Sequence, residues 1–219
     1  NINFEEDCQI TSIEESAFNE ILIQSLIIPD KVTSLEGFCG TMRFLTKIIV
    51  SPNNPHFKFI HNSFLISQNQ NHCDLLFATA NVESAKIPFY IHRIGIQSFC
   101  SARNLQSITF QKDSNGNSRL KEISAKAFSN CEKLQSISIP FSVQTIGSYA
   151  FSYSGLSQII FESLSNNESQ LQSIESNAFT GCQFLTSIDL PNNLRIIGVS
   201  AFSCCQELSV VNLNKESKL

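Results

Sequence analysis

The dipeptide Ala-Phe returns along this chain as Ala17-Phe18, Ala127-Phe128, Ala150-Phe151, Ala178-Phe179 and Ala201-Phe202, with Ser98-Phe99 as a near match. The later phenylalanines stand 29 (128−99), 23 (151−128), 28 (179−151) and 23 (202−179) residues apart. A period of this size means one small unit per repeat, stacked on its neighbours, because no single unit can bury its own apolar side. The unit from Ile123 to Ile146 is the clearest: Ala127-Phe128 leads to Cys131, Leu134, Ile137, Ile139, Pro140, Val143 and Ile146. From Ile174 the order recurs as Ala178-Phe179, Cys182, Leu185, Ile188, Leu190, Pro191, Leu194 and Ile197, and a third copy gives Ala201-Phe202, Cys205, Leu208, Val211 and Leu213. The uneven intervals have two causes. Nine residues part Phe110 from Leu120 and Phe161 from Leu171, where three part Ile139 from Val143, so these units carry six extra residues. The unit at Phe151 also loses one residue, at Ser154-Gly155-Leu156, and the first unit is shortened in the same way before Ile23.

Leu-x-x-Ile-x-Ile, once per unit, predicts one short strand per rung in a parallel ladder. Alternation turns Ile137 and Ile139 inward and Ser136 and Ser138 outward. The phenylalanines and Cys131, Cys182 and Cys205 are expected to form buried columns, and the proline after the strand ends its hydrogen bonding. The Ala-Phe segment reads as a short helical or 3₁₀ turn on the convex side. A weaker copy runs through Leu35, Phe38, Leu45, Ile48 and Val50, and Ile2 and Phe4 resemble a strand pair before Ile10 and Ile13. Residues 51–93 break the pattern and read as an irregular rung with a hairpin, rejoining at Ile87-Pro88. The expectation is one solenoid over residues 1–219, cut mid-repeat at both ends. A start at Asn1 without Met suggests a processed product or a piece of something longer.

The order Ile-x-x-x-Ala-Phe-x-x-Cys-x-x-Leu-x-x-Ile-x-Ile-Pro-x-x-Val-x-x-Ile resembles the BspA-like class of leucine-rich repeats. It departs from the commoner leucine-rich pattern, which has Asn or Cys where Ser142 stands. Asn54-Pro55-His56-Phe57, with Ile60 and Phe64-Leu65, is similar to the irregular hairpin unit of that class. The resemblance implies an α/β leucine-rich-repeat solenoid with a concave parallel sheet. It further implies a surface-associated or secreted protein that binds host or matrix proteins.

Residues of the kinds that carry chemistry have plainer readings here. Three of the eight cysteines share one repeat position, which suits a small buried core residue, and no Cys-x-x-Cys occurs. Cys8, Cys39, Cys73 and Cys100 lie off that column. His56, His61, His72 and Cys73 cluster in the irregular segment, but their spacings match no zinc set and read as exposed loop residues; His92 has no evident partner. No Gly-x-Ser-x-Gly elbow or phosphate loop is present, and Gly147 and Gly198 read as turn residues. Glu5-Glu6-Asp7 and Glu14-Glu15 read as solvated charge. Neither catalytic residue nor cofactor nor metal is expected, so the reading is of a scaffold and not an enzyme.

Binding is expected on the concave face. Its first outward column is Ser25, Lys47, Ser107, Ser136, Gln158, Ser187 and Val210; the second is Ile27, Ile49, Thr109, Ser138, Ile160, Asp189 and Asn212. Small polar groups keep such a sheet solvated, whereas Ile27, Ile49 and Ile160 are apolar at solvent positions and suit partner anchors. The insertions at 111–119, 162–170 and 51–86 leave the same end of the strands and offer a second surface; they suit idle loops equally. Asn167-Glu168-Ser169 is a glycosylation sequon if the chain is exported. The formal charge of −4 without a basic run argues against nucleic acid and anionic membrane as main partners. No apolar run nears the roughly 18 residues of a spanning helix. Two functions remain open: a surface or secreted adhesion module for a protein or glycoprotein, and a cytoplasmic protein–protein scaffold.

Overall fold

The computed structural model describes residues 2, 4, 8–18, 20–38, 42–68, 72–163, 168–213 and 217–219. In chain order its strands are β1 (Ser25–Ile28), β2 (Lys47–Val50), β3 (Phe57–Ile60), β4 (Phe64–Ser67), β5 (Asp74–Ala78) and β6 (Ser84–Ile87). There follow β7 (Arg93–Ile94), β8 (Ser107–Phe110), β9 (Glu122–Ile123), β10 (Ser136–Ile139) and β11 (Thr145–Ile146). The last are β12 (Gln158–Phe161), β13 (Ser173–Ile174), β14 (Ser187–Leu190), β15 (Ile196–Ile197) and β16 (Val210–Leu213). The four-residue strands β1, β2, β6, β8, β10, β12, β14 and β16 line the concave side, one per rung. They form because each pairs an inward apolar residue with an outward polar one at the two-residue strand period. Ile137 and Ile139 are buried, as are Ile188 and Leu190. Ile2 bridges Leu26 in parallel, extending the ladder by part of one more rung.

A second ladder runs behind the first, through β7, β9, β11, β13 and β15, all parallel and in register. It holds across every interval, including the 29 residues from Arg93 to Glu122 (122−93). The concave ladder does not. It is hydrogen-bonded in pairs, β1 with β2, β6 with β8, β10 with β12 and β14 with β16. Those pairs are 22 or 23 residues apart, whereas β8 to β10 (136−107) and β12 to β14 (187−158) are each 29. Among the described residues these longer neighbours share no registered ladder. The six extra residues are taken up at the concave rim, so the sheet opens in steps while its back stays closed.

The convex turns are not helical, which corrects the α/β expectation: no helix occurs among the described residues, and the solenoid is built of strands and turns. In the turn around Phe128, the N–H groups of Ala127, Ser129 and Cys131 donate three residues back, to Ser124, Lys126 and Phe128. Those of Lys126, Phe128 and Asn130 donate to Ser148, Ala150 and Ser152 of the next rung. A 3₁₀ turn would keep every N–H within the rung. Here half are spent on stacking, and the backbone alternates accordingly. The residue before each Ala and the one two after each Phe have positive φ, as at Lys126 (55°), Asn130 (58°), Tyr149 (58°) and Tyr153 (54°). Each such non-glycine residue costs about 1 kcal/mol, offset by the bond across rungs.

Phe99, Phe128, Phe151, Phe179 and Phe202 make one column. Successive ring centroids are 4.9, 5.2, 5.3 and 5.3 Å apart, and the last three pairs lie within 7° of parallel. Four of the rings are buried, and Phe202, covered from one side, is half-buried. In the parallel cysteine column each Sγ–H donates to the phenylalanine carbonyl of the preceding rung: Cys131 to Phe99 (3.2 Å), Cys182 to Phe151 (3.3 Å) and Cys205 to Phe179 (3.1 Å). A small apolar residue with a weak donor fits this position. Cys131 and Cys182 are fully buried, and Cys205 is half-buried. Burial pushes the Cys131 thiol far above its ordinary range. Ser142 fills its unusual position by donating to the Leu120 carbonyl (2.8 Å), as Asn193 does to that of Ser169 (2.9 Å).

Gly147 and Gly198 do not serve as left-handed turn residues. A Cβ at Gly147 would lie 2.7 Å from the Ala125 nitrogen, and one at Gly198 would lie 2.4 Å from that of Ser176. Glycine is needed there because adjacent rungs touch backbone to backbone.

The irregular segment is a wall inside the solenoid. β3 pairs with β4 and β4 with β5, both antiparallel, and β5 joins the second ladder through β7. β4 is buried on both faces, as interior strands between two layers are. Leu65, Leu76 and Phe77 belong to an N-terminal core with Leu26, Phe38 and Leu45. Phe64, Ile66, Leu75 and Ala78 belong to the larger C-terminal core. Phe77 meets Phe38 at 6.1 Å on one side, and Phe64 caps the aromatic column at Phe99, 6.0 Å away, on the other.

Candidate functional site

The concave face presents the outward residues of eight strands. Ser107, Thr109, Ser136, Gln158, Ser187, Asp189 and Asn212 are exposed there, while Ser25, Ile27 and Ser138 are half-covered. Among these small polar groups Ile160 is 48% exposed, Ile49 42% and Val210 45%. Ile160 is in register with Ser138, and Ile49 with Ile27. Hydrogen bonds join several neighbours along the columns, Ser107 to Ser84 (3.1 Å) and Asn212 to Asp189 (2.7 Å). An array of this kind offers anchors of one or two apolar side chains within a hydrogen-bonding field, the composition that protein-recognition surfaces share.

Two members of the face went unread in the sequence. β6 is a full concave strand, paired with β8, and it adds Ser84 and Lys86 to the outward columns. Its signal was present as Val82-x-x-Ala85-x-Ile87-Pro88, disguised by alanine at an isoleucine position. The other is Glu162, at the start of a rim insertion. It accepts from Ser138 on the concave column (3.0 Å) and pairs with Lys112 of the preceding insertion (3.0 Å). The rim and the concave face are thus one connected surface near β10 and β12. A hollow of about 210 Å³ lies at the mouth of the opening between β12 and β14, between Phe161 and Asp189. A second, of about 500 Å³, lies between the hairpin turn at His61 and the outward residues Ser84 and Lys86.

The insertion at 51–86 is not a rim loop like the other two, because its strands form the internal wall. Residues 164–167 of the second rim insertion, and with them Asn167 of the sequon, lie outside the described residues, as do Glu5-Glu6-Asp7 and Cys39. The histidines of the irregular segment separate: His61 packs edge-on to Phe64 (6.4 Å), and His56 lies near Phe57. His92 does have partners. Its Nδ1 accepts from the Cys73 amide (3.3 Å), and its ring meets His72 edge-on at 5.0 Å. Burial, then the neighbouring His72, lowers its pKa. Beside it Arg93 pairs with Glu36 and with Asp74 (2.8 Å), tying the wall to the second rung. Among the described residues no group of three His, Cys, Asp or Glu side chains is placed to hold a metal. No described helix is long and apolar enough to cross a membrane.

One strand per rung, a closed ladder behind it and a stacked phenylalanine column define a leucine-rich-repeat solenoid. The chain belongs to the family of the BspA type leucine rich repeat region, whose model matches in six copies over residues 1–69, 73–168 and 161–218. Its structure is similar to that of a leucine-rich repeat protein from Eubacterium ventriosum, with TM-score 0.78 and 24% identity over 93% of this chain and 52% of that one. A leucine rich cell surface protein from Faecalibacterium prausnitzii gives TM-score 0.57 and 25% identity over 92% of this chain and 51% of that one. A leucine rich repeat protein of T. pallidum gives 0.61 and 22% over 71% of each. This chain therefore spans about half the length of the first two. No curated protein sequence matches it. Repeats of this family are scaffolds, and leucine-rich-repeat proteins typically bind proteins.

Proposed function

We propose that this chain is a non-enzymatic, cell-surface adhesion module that grips a protein or glycoprotein ligand of host or matrix origin through its concave face. The observation that carries this reading is the pair of half-exposed isoleucines, Ile49 and Ile160, set in a field of serine, threonine and asparagine side chains. Solvation alone has no use for an isoleucine there, whereas interface anchors are apolar groups ringed by polar ones. The contact residues are Ile27, Ile49, Ser107, Thr109, Ser136, Ser138, Gln158, Ile160, Ser187, Asp189 and Asn212, joined by Ser84, Lys86 and the rim residue Glu162. Surface placement is supported by the similarity to a bacterial leucine rich cell surface protein.

An intracellular protein–protein scaffold is the second reading. Its support is that all seven described cysteines are free thiols, as suits a reducing compartment. Surface labelling of intact cells that express the protein separates the two. Labelling with a membrane-impermeant reagent, lost on mild protease treatment of whole cells, is expected for the adhesion module. Labelling only after lysis refutes it in favour of the intracellular scaffold.

A further inference from the structure

Two side chains separate the buried turn residue from the strand leucine in most rungs, Glu132-Lys133 before Leu134 and Gln183-Phe184 before Leu185. The shortened rung between them has only Gly155. Gly155 is buried, and a Cβ on it would fall 2.1 Å from the Glu132 carbonyl oxygen, so the backbone is drawn in to contact and the surface is recessed by one side chain. The result is a hollow of about 320 Å³ with Glu132 on one flank and Gln183 and Phe184 on the other. Tyr153 stands at its mouth, its ring laid over Gly181, where a Cβ would meet the ring at 2.5 Å. Tyr153 is 54% exposed and Phe184 61%.

The first shortened rung shares part of this arrangement, with the 77% exposed Leu22 at the position of Gly155 and Glu20 at that of Tyr153. It makes a hollow of about 230 Å³ at Leu22, and the next rung again sets an exposed phenylalanine, Phe44, directly before the strand leucine, Leu45. The second hollow has the richer chemistry. Two exposed aromatic rings share it with the amides of Asn130 and Gln183 and the carboxylate of Glu132. Among the described residues neither the Gln183 amide nor the Tyr153 hydroxyl has a hydrogen-bond partner.

We infer that this notch is a binding subsite for one neutral sugar residue, with Tyr153 and Phe184 as its apolar platform. A pyranose has a C–H face that packs on aromatic rings, and hydroxyls that both donate and accept. Amide, phenol and carboxylate side chains match both roles. A cationic side chain is the poorer fit, because Glu132 already faces Arg103 at 3.7 Å. A purely apolar peptide would leave the amides unpaired. The notch lies before the concave strands, on the edge opposite the rim insertions, so this site is independent of the proposed protein-binding face.

Saturation-transfer NMR of the 219-residue chain against a panel of neutral hexose and N-acetylhexosamine oligosaccharides tests the assignment. At least one is expected to bind with a Kd of about 1 mM or below. Phe184→Ser and Tyr153→Asn, the latter chosen because asparagine tolerates the left-handed backbone, should each weaken it about tenfold. Gln183→Ala, which disturbs no internal bond, should weaken it about fivefold. Ile160→Glu should leave it unchanged. No transfer from any sugar at about 10 mM would overturn the inference. So would transfer that survives all three notch variants, or a lysine-rich peptide that binds at these rings while no sugar does.

Discussion

Phe151→Ala is the substitution whose cost the stacked column sets most directly. Phe151 is fully buried, with Phe128 at 5.2 Å on one face and Phe179 at 5.3 Å on the other. Removing the ring forfeits about 2–3 kcal/mol of burial. It also removes two ring contacts, together about 1–2 kcal/mol, giving roughly 3–5 kcal/mol in all. Phe202 supplies the internal comparison, because it is half-buried and stacks on one face only. Phe202→Ala should therefore cost about 1.5–2.5 kcal/mol. Equilibrium urea unfolding followed by far-UV circular dichroism measures both, as the shift of midpoint multiplied by the slope. The expected gap is about 2 kcal/mol in favour of a costlier Phe151→Ala. Equal costs, or a Phe151→Ala cost below about 1 kcal/mol, would refute the nearest-neighbour stack as the source of rung cohesion.

Other outcomes follow from single positions. Ser98 occupies the alanine position of its rung, is buried and has no partner for its hydroxyl. Ser98→Ala should therefore raise the unfolding free energy by about 1 kcal/mol, and a clear loss of stability in the same urea titration would contradict the orphaned hydroxyl. Cys204 is exposed, whereas Cys131 and Cys182 are buried. A thiol reagent followed by peptide mass mapping should modify Cys204 first and reach the other two only after denaturation; rapid native labelling of Cys182 would break the column. Gly147→Ala places a Cβ against the Ala125 nitrogen and should cost about 1–3 kcal/mol by calorimetry, so an unchanged melt would mean the rungs are looser than described.

The rung register was legible because it is carried by side-chain identity at a fixed spacing. Ala-Phe, Cys and Leu-x-x-Ile-x-Ile each mark a column, and the column geometry follows from stacking. The turn conformation was not legible, since Ala-Phe-Ser-Asn suits a helical turn as readily as chained β-turns. What decides is whether the N–H groups of Lys126, Phe128 and Asn130 find carbonyls in the next rung, which only the assembled stack provides. β6 was hidden by Ala85, a small residue where its neighbours have isoleucine or valine. The wall at β4 could not be told from a surface hairpin, because Phe64-Leu65-Ile66 reads as one apolar run whether one face is buried or two. Of the candidate face, the outward alternation was readable, while the link through Glu162 depends on two insertions being brought side by side by the solenoid.

Ligand is expected to be held by the concave sheet and not by the convex turns. Ile160→Glu tests it, since the side chain is half-exposed and its replacement should leave stability within about 0.5 kcal/mol. Val199, on a convex turn and 76% exposed, supplies the control as Val199→Glu. Binding of each variant to immobilised extracellular-matrix glycoproteins is measured by biolayer interferometry. Ile160→Glu is expected to weaken binding about thirtyfold, the equivalent of about 2 kcal/mol at an interface anchor, while Val199→Glu leaves it unchanged. Loss of binding in Val199→Glu with full binding in Ile160→Glu would contradict the claim.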